Sequence, residues 1–127
     1  MTAHHILIIE DNSANLELAQ YLLETHGFTC ESAMDGASAL RCASARVPDL
    51  VLCDLQLPDI DGFEVLRSLR AMPSMQDVPV VAVTAYAMVG DRERVLGAGF
   101  DGYIAKPLDP TKFVGQVTAF LAGPDSR

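Results

Sequence analysis

The chain is punctuated by short, uninterrupted apolar runs, each closed by a polar residue. They fall at 6–9 (ILII), 50–53 (LVLC), 78–83 (VPVVAV) and 103–105 (YIA). None alternates apolar with polar, which is the pattern of a strand buried on both faces. A weaker segment at 28–33 (FTCESA) fits as the second strand by its position. Between the runs lie stretches of helical period. Leu16, Ala19 and Leu23 form one stripe, and Ala37, Leu40 and Ala43 mark a second helix. Phe63, Val65, Leu66 and Leu69 begin a third, 89–96 reads as a fourth, and Phe113, Val117, Phe120 and Leu121 carry the fifth. Asp11, Asn12, Ser13 and Asp35 supply N-caps, and Gly27 a C′ glycine. Gly97 and Gly99 end the fourth helix; Asp109 and Pro110 give the fifth a cap and a first-turn proline. Pro79 sits near the start of its run, where a strand tolerates it. Five strands alternating with five helices predict an α/β fold, a doubly wound parallel sheet with right-handed crossovers. The 127 residues suffice for one such domain, spanning 1–122, with a short polar tail at 123–127 and no output domain.

Charge narrows the function. Asp and Glu number 17 against 9 Lys and Arg, a net charge of −8. A nucleic-acid binder needs a basic face, and none of useful size is available, so direct DNA or RNA binding is not expected. No stretch is long and apolar enough for membrane insertion, and residues 1–9 lack the basic start of a signal peptide. The three cysteines, Cys30, Cys42 and Cys53, are odd in number and match no zinc spacing. They read as reduced thiols of a cytoplasmic protein.

Ligands of an open parallel sheet bind beyond the carboxyl ends of its strands. The first run ends in Glu10 and Asp11, the third strand in Asp54, the fourth in Thr84 and the fifth in Lys106. Each residue alone has an ordinary explanation as a cap, a strand end or a solvated charge. Their joint occurrence at the ends of four apolar runs does not. Three converging carboxylates repel, which raises carboxyl pKa values. A hard divalent cation relieves the repulsion, and magnesium takes oxygen ligands from one or two carboxylates together with phosphate. Lys106 offers a compact positive charge to a phosphoryl oxygen, and Thr84 a hydroxyl donor. Carboxylates serve as phosphoryl acceptors, so this inventory suits a phosphoryl group attached at, or held beside, a carboxylate.

The stretches ILIIEDN (6–12), DLVLCDLQLPDIDGFEVL (49–66), VPVVAVTAYAM (78–88) and YIAKPLD (103–109) resemble the receiver domains of two-component response regulators, most of all the single-domain DivK type. That resemblance implies a flavodoxin-like strand order of 2-1-3-4-5. It also implies that Asp54 accepts a phosphoryl group from a phosphohistidine of a histidine kinase or histidine phosphotransfer protein. Glu10, Asp11 and Asp54 would then hold Mg2+ (or Mn2+), joined by the backbone carbonyl of Gln56. Lys106 would contact the phosphoryl group, Thr84 and Tyr103 would be the switch pair, and the bond before Pro107 would be cis. Gln56 and Tyr86 would flank the path of the hydrolytic water and set the phosphoryl lifetime. A downstream protein would read the surface of the fourth helix, fifth strand and fifth helix.

Three other functions compete. An aspartyl-phosphate phosphatase usually needs a second acid two residues after its nucleophile, and Gln56 stands there. A flavin site needs a phosphate-binding loop after the first strand, where EDNSAN is acidic and lacks glycine. A degenerate receiver, binding partners without phosphorylation, would not need the complete set of site residues.

Overall fold

The computed structural model describes residues 4–85 and 91–122. Five strands form one sheet: β1 (His5–Ile9), β2 (Thr29–Ala33), β3 (Leu50–Asp54), β4 (Val80–Thr84) and β5 (Gly102–Ala105). The helices are α1 (Ser13–Glu24), α2 (Gly36–Ala45), α3 (Gly62–Arg70), α4 (Asp91–Gly97) and α5 (Phe113–Ala122). Every strand pair is parallel, in the order β2-β1-β3-β4-β5. The expected start of the fourth helix at 89 and the 123–127 tail lie outside the described residues.

Alternate side chains along each strand feed two apolar layers. Ile6, Ile8, Leu50, Leu52, Val81, Val83 and Ile104 meet Leu16, Ala19 and Leu23 of α1 and Phe113 and Val117 of α5. Leu7, Ile9, Val51, Cys53, Val80 and Ala82 meet Ala39 and Ala43 of α2, Val65, Leu66 and Leu69 of α3, and Val95 of α4. β1, β3 and β4 are buried along their whole length, which is why their sequences run apolar without a break. β2 is an edge strand and buries only Ala33 fully, so its sequence is mixed. Burial also quiets the thiols. It pushes the Cys30 thiol up to about 12, with Glu24 adding to the effect, and holds Cys53 well above the usual thiol range.

The helix ends follow their local chemistry. Asn12 Oδ1 accepts from Asn15 N–H (3.0 Å), Asp35 Oδ1 from Ser38 N–H (2.7 Å) and Asp61 Oδ1 from Glu64 N–H (2.9 Å). Gly27, at φ +90°, closes α1 as a Schellman C′ residue. Phe28 N–H donates to Leu23 O and Gly27 N–H to Glu24 O. The start of α5 departs from expectation. Asp109 Oδ1 does accept Thr111 N–H (2.9 Å), but it also takes the Thr111 hydroxyl (2.7 Å). The Asp109 carbonyl is shared between Lys112 N–H and Phe113 N–H. Residues 110–112 therefore form a turn, and the regular helix begins at Phe113. Pro79 likewise falls just before β4, where its carbonyl still accepts Val51 N–H (2.9 Å).

Arg70 ties three connections together. Its guanidinium donates to Met75 O and Val78 O, each at 2.8 Å, and to Asp101 Oδ2 at 2.7 Å. The same Asp101 oxygen accepts Val80 N–H at 2.8 Å. Arg70→Ala removes the guanidinium's bonds to two carbonyls and a carboxylate, of which Met75 O keeps Val78 N–H and Asp101 Oδ2 keeps Val80 N–H, and is expected to cost about 1.5–3 kcal/mol. The urea midpoint measures it, and an unchanged midpoint would show that water replaces the guanidinium at no cost.

Candidate functional site

The parallel register brings distant residues to one edge. Glu10 N–H donates to Ala33 O, extending β1 by one residue. Asp54 is the last residue of β3 and Thr84 the last of β4, paired with Ala105. Lys106 N–H donates to Thr84 O (2.9 Å), so the lysine leaves β5 level with the carboxylates. Glu10, Asp54 and Thr84 are buried, and Asp11 is exposed.

Lys106 Nζ lies 2.6 Å from Glu10 Oε1 and 3.0 Å from Asp54 Oδ2. Asp54 Oδ1 accepts Gln56 N–H (3.1 Å), and Glu10 Oε2 accepts Asn12 N–H (3.2 Å). One oxygen each from Glu10, Asp11 and Asp54 lies within 4.8 Å of the others. Burial pushes the Glu10 carboxyl above its usual range; the Lys106 contact works against that, and Asp54 adds to it. Burial alone would lower the Lys106 ammonium, but hydrogen bonds to Glu10 and Asp54 outweigh it and hold its pKa up. The lysine thus stands as the cation among carboxylates that would otherwise repel.

The donor set fits magnesium. Octahedral oxygens at about 2.1 Å from the ion span about 4.2 Å across it, close to the spread of the three carboxylates. The ammonium already bridging two of them shows that this edge receives positive charge.

The remaining candidates lie around this centre. Gln56 is exposed directly after Leu55. Tyr103 pairs with Ala82 and Thr84 with Ala105, so Tyr103 and Thr84 leave the sheet on the same face. Tyr103 is half-buried against the layer that holds Val95 of α4. Burial and the Asp91 carboxylate, partly offset by Arg92, push its hydroxyl up. The guanidinium of Arg94 lies 4.7 Å from the Phe63 ring centroid, tying α4 to α3. The Lys106–Pro107 bond is cis. Tyr86 lies outside the described residues.

Two residues at the site carry no recognisable signal in the sequence. A Cβ on Gly62 would come within 2.6 Å of the Asp54 carbonyl oxygen, so α3 starts pressed against the strand end. Asp59 accepts Gly36 N–H and Ala37 N–H at the start of α2. Asp59 depends on a helix start far back in the chain and Gly62 on its packing against the Asp54–Leu55 backbone, and neither residue type marks them.

Comparison with known proteins agrees with the geometry. The profile of the family described as response regulator receiver domain matches residues 6–118. The chain is 38% identical over 116 residues to the polar-differentiation response regulator DivK of Brucella anthropi, covering 91% of this chain and 94% of that one. It superposes on the receiver domain of the sensor histidine kinase PA1611 of Pseudomonas aeruginosa with a TM-score of 0.82 and 34% identity, over 95% of this chain and 96% of that one. That crystal structure has a magnesium ion coordinated in its active-site cleft. The chemotaxis regulator CheY4 of Vibrio cholerae shares the fold, with a TM-score of 0.88 at 22% identity, over 93% of this chain and 98% of that one. Sequence profile, curated relative and fold converge, and the chain belongs to the response-regulator receiver domains of two-component signalling.

Proposed function

We propose that this chain is a phosphorylation-dependent switch in which Asp54 accepts a phosphoryl group from a phosphohistidine of a histidine kinase or phosphotransfer protein. The observation that carries the reading is Lys106 Nζ held between Glu10 and Asp54. A bridging ammonium is poised to follow a phosphoryl oxygen once one arrives at Asp54. A carboxylate oxygen of Asp54 forms the new bond to phosphorus. The phosphorus–nitrogen bond breaks, and its electron pair stays on the imidazole, which takes up a proton. Glu10, Asp11, Asp54 and the Gln56 carbonyl would hold Mg2+, which neutralises the carboxylates and a phosphoryl oxygen. Lys106 leaves Glu10 to bind a second oxygen, and the Thr84 hydroxyl donates to a third.

The output follows from the strand that Thr84 ends. Drawing Thr84 toward the phosphoryl group frees space on the face it shares with Tyr103. Tyr103 then packs inward, and the surface of α4, β5 and α5 changes for a protein partner. This is a local charge event biasing a two-state element. Among the described residues no helix is long and apolar enough to cross a membrane.

Incubation with phosphoramidate and Mg2+, followed by intact mass, tests the reading. One phosphoryl adduct is expected in the wild type. None is expected in chelator or in Asp54→Asn. An unlabelled wild type, under conditions that label another receiver domain, would overturn it.

A further inference from the structure

The connection from β3 to α3 is closed at its base and pinned at its tip. At the base, Gly62 N–H donates to Leu55 O (2.9 Å) and Gln56 N–H to Asp54 Oδ1 (3.1 Å). At the tip, Asp59 reaches to α2, where Oδ1 accepts Gly36 N–H (2.8 Å) and Oδ2 accepts Ala37 N–H (2.9 Å). The helix has its own cap, because Asp35 takes Ser38 N–H. The two aspartates together satisfy the first three backbone donors of α2, one from within and one from across. Packing reinforces the tie. Gly36 sits so close to Ile60 that a side chain there would collide with it.

We propose that Asp59 is a positioning residue for the phosphoacceptor site, fixing the 55–61 segment to α2 so that the Gln56 backbone is already in place beside Asp54 when Mg2+ binds. The inference rests on the reading of Asp54 and its neighbours as that site. A segment ordered before binding loses no backbone freedom on binding, and the affinity gains accordingly. Backbone donors on both oxygens hold the Asp59 carboxyl below its usual range, so the tie is ionised at neutral pH. Charge-assisted bonds at a helix start are suited to this task.

The test compares Asp59→Ala, Asp59→Asn and Asp35→Ala by amide chemical-shift titration with Mg2+, at a temperature where circular dichroism shows each variant folded. Asp59→Ala is expected to weaken Mg2+ binding about 3- to 10-fold, below the effect of residues that hydrogen-bond a metal ligand directly, because Asp59 acts through the loop backbone. Asp59→Asn, which keeps one amide oxygen as acceptor, is expected to fall between it and the wild type. Asp35→Ala removes the helix's own cap and is expected to lower the melting temperature while leaving Mg2+ affinity unchanged. Wild-type affinity in Asp59→Ala overturns the proposal. Equal weakening in Asp35→Ala overturns it too, since fraying of α2 would then be the cause. If Asp59→Ala does not fold, Asp59→Asn alone decides, with wild-type affinity again overturning the proposal. A wild type that takes no phosphoryl group refutes the underlying reading instead, and it does so without any variant.

Discussion

Lys106→Met is expected to slow phosphorylation by phosphoramidate by about 10²-fold, the scale of losing one fixed donor to a developing anion. The ammonium is held 2.6 Å from Glu10 and 3.0 Å from Asp54, with only 14% of its side chain exposed. Methionine keeps the stem and removes the charge. The same substitution leaves two buried carboxylates facing each other, and Glu10 already sits above its usual range through burial and Asp54. Removing one partner of a fully buried pair costs roughly 3–5 kcal/mol. Asp11 and the open strand edge admit water, so the expected loss without divalent ions is smaller, about 2 kcal/mol. Millimolar Mg2+ should restore most of that loss, because a cation re-enters the gap the lysine left. Urea unfolding of wild type and variant, in chelator and in Mg2+, reads both effects. Equal stability in chelator would show that the lysine does not offset the carboxylate repulsion. Undiminished labelling would remove it from the phosphoryl site.

The sequence made the sheet legible where burial is symmetric. ILII, LVLC and VVAV face apolar layers on both sides, so every position had to be apolar. β2 was legible only by its place in the alternation, because Thr29, Cys30, Glu31 and Ser32 lie on an edge where composition is free. The cap at Asp109 is legible in the sequence, but the later start of regular α5 at Phe113 is not, because Asp109 Oδ1 takes both the N–H and the hydroxyl of Thr111, a local closure that residue types alone do not rank. The 3-10 turn at Pro73–Met75 and the Arg70–Asp101 tie behind it went unforeseen for the same reason. At the site, Glu10, Asp11, Asp54, Thr84 and Lys106 were readable because they close apolar runs, and parallel strands put run ends on one edge. Asp59 and Gly62 were not. Their contribution is a contact with Gly36 or with the Asp54 backbone, and such contacts exist only after folding.

Gly62 yields a test in which one substitution type gives opposite signs at two places. Replacing a helical glycine with alanine normally stabilises by up to about 1 kcal/mol through backbone entropy. Gly115 of α5 is exposed, and a Cβ there meets nothing within 4 Å. Gly115→Ala is therefore expected to stabilise by about 0.5–1 kcal/mol. At Gly62 the added Cβ would stand 2.6 Å from Asp54 O and 2.8 Å from Leu55 Cα. Both neighbours are backbone, held by the β3–β4 ladder and by the Gly62–Leu55 hydrogen bond, so neither yields as a flexible side chain would. Overpacking of this kind costs roughly 1–3 kcal/mol, enough to cancel the entropic gain and reverse its sign. The relief available is a shift of α3 away from the strand end, which moves the Asp54 backbone with it. Gly62→Ala should thus lower the urea midpoint and also slow labelling of Asp54 by phosphoramidate. Gly115→Ala should raise the midpoint and leave labelling unchanged. If both alanines stabilise, the strand end and α3 are not in the close contact on which the placement of Asp54 depends.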